Sequence, residues 1–225
     1  MSWIITGTEK YETDPYRSQV SLLLHGDGSN GSTTIVDSSP TPKTATAFGD
    51  AQISTAQSKF GGSSIAFDSS GDYLATTGSP FLTGDFTVEA WVHVATPSSG
   101  FVIFESRDVD LTNSGFVFYV RSTSKLTFGA GSPFVATEGT TNLSANSWLH
   151  AALVRSSGTV KGYLNGVEQF SVANSFNFTL TSWRVGSSWN AISASSGYID
   201  DLRITKGVAR YTSNFTPPTA PFPDI

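Results

Sequence analysis

Nowhere along this 225-residue chain do apolar residues recur at sustained helical spacing; they alternate instead. The run Phe86 to Val94 is the clearest case. Phe86, Val88, Ala90, Val92 and Val94 fall on one parity, and Thr87, Glu89, Trp91 and His93 fall on the other. Successive side chains of a strand point to opposite faces, so this pattern predicts a strand with one face in a core. Val20 to Leu24, Phe101 to Glu105, Gly115 to Arg121, Lys125 to Gly129, Trp183 to Gly186 and Tyr198 to Thr205 read as further strands between polar turns. Asn165-Gly166, set between Tyr163-Leu164 and Val167-Glu168, predicts a tight hairpin because both central residues tolerate positive φ. Gly207-Val208-Ala209-Arg210 has room for a single helical turn. Many short strands with polar turns predict an all-β fold, a two-sheet antiparallel sandwich.

Length fits one domain, residues 18–212, preceded by an arm (1–17) and followed by an extended Pro-rich tail (213–225). The arm offers Trp3, Ile4 and Ile5 to a partner surface, either its own domain or a docking site on an assembly. The prolines at 217, 218, 221 and 223 cannot donate to a ladder, which predicts a tail running along the surface. Five tryptophans and sixteen phenylalanines supply core volume. The net charge of −5, with basic residues scattered, gives no footprint for nucleic acid. No apolar run is long enough for membrane insertion through a helix. The absence of cysteine excludes disulfides, thiolate metal sites and a cysteine nucleophile. The first residues show neither a basic segment nor a long apolar stretch, so no secretory leader is expected.

The segment Gly197-Tyr198-Ile199-Asp200-Asp201-Leu202-Arg203-Ile204 carries the sharpest chemical demand. Strict alternation puts Asp200 on the face of Leu202 and Ile204, toward the core, and leaves Asp201 and Arg203 opposite, free to neutralise each other. A buried carboxylate is costly unless paired, hydrogen-bonded or bound to a cation, so Asp200 needs a partner.

This segment, continued by Thr205-Lys206-Gly207-Val208-Ala209-Arg210-Tyr211, resembles the closing strand of laminin-G-like, concanavalin A-like jelly-roll domains. Lys59-Phe60-Gly61-Gly62-Ser63-Ser64-Ile65-Ala66-Phe67-Asp68 is similar to an early strand of that family. Phe86 to His93 is similar to its central strand, and Trp148 to Arg155 with the hairpin Lys161 to Glu168 to its next pair. The resemblance runs from about Ser18 to Pro223 and implies a jelly-roll sandwich, a fold shared by lectins, enzyme appendages and adhesins. It also implies a calcium site at one edge, for which Asp200, Asp37 and Asp27 are the candidates. In place of the family's glycine-rich turn stands Asp37-Ser38-Ser39-Pro40-Thr41-Pro42. The alternative for Asp200 and Asp37 is acceptance of backbone N–H bonds at turns.

A saccharide site wants an aromatic plate with amides and hydroxyls around it, and Ser188, Trp189 and Asn190 supply them in one loop. A second candidate is the polar face of Phe86 to Val94, with Glu89, Trp91 and His93 and with Tyr119 and Arg121 beside them; its alternative is ordinary packing under a covering loop. Catalysis by paired carboxylates fails, because Glu105 and Asp108 differ by three positions and a strand sends them to opposite faces. No zinc-binding His-Glu-x-x-His or nucleophile-elbow Gly-x-Ser-x-Gly pattern is present. The Asn-x-Ser/Thr sites at Asn30, Asn142, Asn177 and Asn214 read as turn residues. These readings lead to a non-enzymatic lectin-like protein of a virion surface, a phage tail or capsid component assembled in the host cytoplasm. Its expected partners are cell-surface glycan, other virion proteins or further copies of itself. The alternative is a decoration protein acting only through protein contacts.

Overall fold

A computed structural model describes residues 13–68, 71–78, 82–107, 114–189 and 196–225. Among the described residues sixteen strands, numbered along the chain, form two antiparallel sheets. The first sheet runs β14 (Val167–Ala173), β13 (Thr159–Leu164), β12 (Trp148–Ser156), β7 (Phe86–Val94), β16 (Ser196–Lys206), β5 (Ser64–Asp68), β4 (Gln52–Ser54), with β1 (Val20–Leu24) also paired to β16. The second runs β11 (Val135–Asn142), β10 (Lys125–Ala130), β9 (Phe116–Val120), β8 (Phe101–Glu105), β15 (Ser182–Gly186), β6 (Tyr73–Thr77), β3 (Ala45–Phe48), β2 (Thr34–Ile35). The expected jelly-roll sandwich is the observed architecture.

The core lies between the sheets, where the apolar parity of β7 meets a phenylalanine cluster from the second sheet. Phe86 stacks on Phe116 with ring centroids 5.5 Å apart, and Phe116 packs against Phe178 at 4.8 Å. Each such side chain, fully buried, contributes about 1.5–3 kcal/mol of transfer free energy. The Asn165-Gly166 hairpin forms as predicted, with φ of 49° and 77°. Glycine is required there twice over: a Cβ on Gly166 would sit 1.8 Å from the carbonyl oxygen of Phe215.

That close approach belongs to the C-terminal segment, which carries no strand after β16 and lies over the outer face of the first sheet. Tyr211 and Phe215 stack at 3.6 Å, and the Phe215 ring meets His150 and Tyr163 edge-on. Beneath them the polar parity of β7 is closed from solvent. Glu89 is 0% exposed, and its carboxylate accepts from Arg203 Nη2 at 2.8 Å and from the Tyr211 hydroxyl at 2.8 Å. Arg203 also donates to Asp14 at 3.1 Å, and Asp14 in turn receives Arg210 Nη2 at 2.6 Å. Burial alone would raise the Glu89 carboxyl, but Arg203, His150 and Tyr211 outweigh it and hold the group at about 2. Residues 1–12 of the arm lie outside the described residues, so Trp3, Ile4 and Ile5 have no place in this description.

One expectation from strict alternation is overturned. Asp201 has φ +53° and forms a β-bulge in β16: Asp200 pairs with Trp91, and the next register position belongs to Arg203 opposite Glu89. The inserted residue shifts the parity by one. Asp200 therefore shares the outer face with Arg203, while Leu202 and Ile204 enter the core. Asp201 does not neutralise Arg203; it binds the His25 ring at 2.5 Å and the Phe222 backbone N–H at 2.7 Å.

Two measurements check this network. Glu89→Gln leaves the buried Arg203 undercompensated and is expected to cost about 3–5 kcal/mol in a denaturant titration. A loss under 1 kcal/mol would show that Glu89 is not the anchor. In the wild type, Glu89 is depressed from 4.5 to about 2, so its contribution is present above pH 4.5 and is lost as the pH falls toward 2. The Gln variant should lose less stability across that window than the wild type.

Candidate functional site

The outer face of the second sheet carries a ladder of stacked side chains. In β3, Ala45 and Ala47 turn inward, which leaves Thr46 and Phe48 outward. Phe48 is paired in register with Tyr73 of β6, and their rings stack at 4.6 Å with 8° between planes. Arg184 of β15 continues the row, its guanidinium carbon 4.1 Å from the Tyr73 ring and 4.0 Å from the Trp189 ring. Trp189 is half-buried, and its backbone N–H donates to Glu105 Oε2 at 3.2 Å, which pins the loop over the sheet. Arg184 Nη1 donates to the Ser188 carbonyl at 3.3 Å. A groove of about 350 Å³ opens alongside, lined by Thr44, Thr46, Phe48, Ser182, Trp183 and Trp189 among others. Exposed rings beside hydroxyls are what a pyranose presents itself to: C–H faces on the rings, hydroxyls to the polar rim.

Of the sequence-derived saccharide residues, Trp189 belongs to this ladder and Ser188 is buried beneath it at 4% exposure. Asn190 lies outside the described residues. Phe48, Tyr73 and Arg184 were not singled out in the sequence; the Ala-Thr-Ala-Phe alternation of residues 45–48 is the signal that could have found Phe48. The second saccharide candidate divides. Trp91 and His93 are 6% and 7% exposed on the first sheet, where Trp91 packs edge-on against Phe60 and the Lys59 ammonium sits 3.9 Å over its ring. Tyr119 is in β9 of the other sheet and Arg121 follows it, so neither stands beside β7. Glu105, set aside as a catalytic group, is 1% exposed and held by Arg107 at 2.6 Å. Burial pushes its carboxyl up, partly offset by Arg107 and the Trp189 N–H. Asp108 lies outside the described residues.

The three carboxylates considered for calcium do not converge as a trio. Asp37 is saturated by the protein: Oδ1 accepts the backbone N–H groups of Leu23 and Ser39, and Oδ2 accepts the Ser39 hydroxyl and the Lys43 N–H. That is a turn-capping carboxylate, and it does not fit a metal ligand. Asp200 is 1% exposed, and its Oδ2 accepts the N–H groups of Lys59 at 2.7 Å and Phe60 at 3.1 Å. Burial raises its carboxyl to about 7, against the pull of those two N–H groups and with a further push from Asp201 and Asp27. Asp27 folds onto the same turn, since a Cβ on Gly61 would lie 1.9 Å from its Oδ1. Among the described residues, three ligand atoms within 4.8 Å of one another occur only at Asp50, Asp68 and Asp72. There Asp72 accepts the backbone N–H groups of Asp50 and Asp68, each at 2.8 Å, and so holds two turns together.

Comparison with known proteins bears on this geometry. The solved binding domain of a botulinum neurotoxin of serotype D/C is similar at 15% identity and a TM-score of 0.65, covering 93% of this chain and 50% of its own. The binding domain of Paraclostridial Mosquitocidal Protein 1 gives 14%, 0.66, 85% and 49% for the same quantities. Botulinum neurotoxin type C, which depends on interaction with two ganglioside molecules to enter cells, gives 16%, 0.63, 86% and 49%. The chain thus spans about half the length of these structures, and at such identities the likeness establishes the fold. The curated protein sequences contain no match. The family model described as the concanavalin A-like lectin/glucanases superfamily matches residues 68–210, from the end of β5 to Arg210 in the covering segment. The chain belongs to the concanavalin A-like lectin/glucanase superfamily and is a lectin-like jelly-roll domain.

Proposed function

We propose that this domain is a non-enzymatic glycan-binding module used for attachment, with the outer face of its second sheet as the binding surface. The observation that carries the reading is the Phe48–Tyr73–Arg184–Trp189 ladder beside an open groove. It stands on the face that the C-terminal segment leaves uncovered. The similar toxin structures are themselves binding domains, one from a toxin that uses gangliosides, which supports a saccharide as the ligand. The proposed setting is a virion surface, a phage tail or capsid, where many weak sites on one particle add to tight attachment. Glu105 serves as a loop anchor in this reading, since both of its oxygens are already engaged.

A second reading, decoration of a particle through protein contacts, is favoured by one observation. Val135 and Phe134 are 63% and 39% exposed at the far edge of the sandwich, beside a groove of about 400 Å³ between β10, β11 and the end of β14.

We also propose that Asp200 and Asp27 hold a calcium ion at the turn 59–61, without Asp37. Calcium takes hard oxygen ligands, and its charge would offset that of the buried Asp200 carboxylate.

Two experiments test these proposals. Trp189→Ala and, separately, Phe48→Ala are expected to weaken glycan binding at least tenfold in a glycan array or titration. Val167→Ala, an exposed apolar change on the other sheet, should leave binding intact. Equal losses in all three variants, or in none, would remove the ladder as the site. Thermal unfolding at neutral pH in EDTA and then in calcium should show a midpoint several degrees higher with the ion, because a ligand of the native state alone stabilises by RT ln(1 + [L]/Kd). Asp200→Asn should abolish that rise; an unchanged midpoint in the wild type would remove the calcium proposal.

A further inference from the structure

One edge of the second sheet is open. β11 is its last strand, and among the described residues no strand pairs along its far side. An antiparallel neighbour engages the backbone groups of alternate residues, so the others of β11 point outward from the edge. Edge strands are commonly guarded by lysine, proline or a free charge. Val135 to Asn142 carries neither lysine nor proline, and its one charged residue, Glu138, is engaged by Arg121.

This edge is apolar on both faces. Val135 and Thr137 lie opposite Ala130 and Phe128 and share their inward face, yet Val135 is 63% exposed. There a groove of about 400 Å³ opens between the β10–β11 hairpin and the end of β14. Phe134 belongs to the outward face: a Cβ on Gly129 would sit 2.2 Å from its ring, and the ring is 39% exposed. A strand added here needs apolar side chains of both parities. Ser2-Trp3-Ile4-Ile5-Thr6 offers them, in residue types that favour extended pairing. Alternation would send Trp3 and Ile5 into the groove beside Val135 and Ile4 toward Phe134.

A copy's own edge is out of its arm's reach. Asp14 is held over β16 by Arg203 and Arg210. From β16 to β14 is four strand spacings, and the sheets stand about 10 Å apart, so the way round to β11 is roughly 30 Å. The Tyr211 and Phe215 rings lie over His150 and Tyr163 on that route and lengthen it. Residues 7–13 at full extension bring Thr6 no more than about 26–29 Å from Asp14. We infer that residues 2–6 of one copy add as a strand to β11 of a second copy. The contact joins unlike surfaces, arm to edge, and so links copies head to tail into rings or filaments. The inference rests on the protein-contact reading of this edge, names its partner, and is independent of the glycan reading.

The test is sedimentation velocity on the full chain, from micromolar to hundreds of micromolar protein, because a four-residue strand buries too little area for tight association. The wild type is expected to at least double its average mass across that range. Trp3→Asp, which removes the arm's anchor, and Val135→Asp, which charges the edge, should each stay monomeric with an unchanged unfolding midpoint. An equimolar mixture of the two variants should form dimers and nothing larger, since one supplies the only sound arm and the other the only sound edge. Should Val135→Asp fail to fold, Thr137→Pro on the same edge takes its place. Association of Trp3→Asp equal to that of the wild type, lost in Val135→Asp, would overturn the arm and leave the edge as a contact between copies. A monomeric wild type whose Trp3→Asp variant melts several degrees earlier would place the arm on its own domain and overturn the exchange. A monomeric wild type with no such change would overturn the arm contact and the use of this edge between copies together.

Discussion

The arrangement depends on how one buried carboxylate is satisfied. Glu89 sits at the centre of the first sheet, on the face that its alternating sequence leaves polar, and an unpaired charge there would be prohibitive. Arg203 from the neighbouring strand and Tyr211 from the chain beyond it supply the partners. Arg203 in turn needs Asp14, and Asp14 needs Arg210, so the network draws both ends of the domain onto one surface. The C-terminal segment is thereby committed to the first sheet. The second sheet's outer face satisfies its own buried carboxylate, Glu105, locally through Arg107 and the Trp189 N–H, and the C-terminal segment does not cover it.

The bulge at Asp201 makes that network geometrically available. Without the inserted residue, Arg203 would share the face opposite Asp200 and could not lie across from Glu89. With it, Asp200, Arg203 and the polar parity of β7 occupy one surface, and the core still receives Leu202 and Ile204. The extra residue is not idle. Its carboxylate holds the Phe222 N–H and the His25 ring, which also binds Asp224, so it fastens the end of the chain. The His25 ring is raised to about 9 because Asp201 and Asp224 outweigh its burial.

These particulars show where sequence reasoning reaches and where it stops. The sandwich, the β7 alternation and the Asn165-Gly166 hairpin were legible because each follows from local rules of parity and turn conformation. The face of Asp200 was misread for the same reason: parity assumes an unbroken strand, and a bulge is decided by partners far away in the chain. Trp189 was legible as a ring in a polar loop. Its companions were not, because Phe48, Tyr73 and Arg184 come together only through the β3–β6–β15 order, which no local pattern announces. The demotion of Asp37 has the same origin, since its donors include Leu23 and Lys43, brought in by the fold.

The central claim is that ligand lands on the second sheet's outer face and not on the covered first one. The four tryptophans at 91, 148, 183 and 189 divide between those sheets and give one indole N–H signal each. Following those signals by NMR during titration with lactose and sialyllactose would locate the contact directly. The account predicts that the Trp189 signal shifts and saturates while Trp91 and Trp148 stay still. Shifts confined to Trp91 and Trp148 would place the ligand on the first sheet and contradict it.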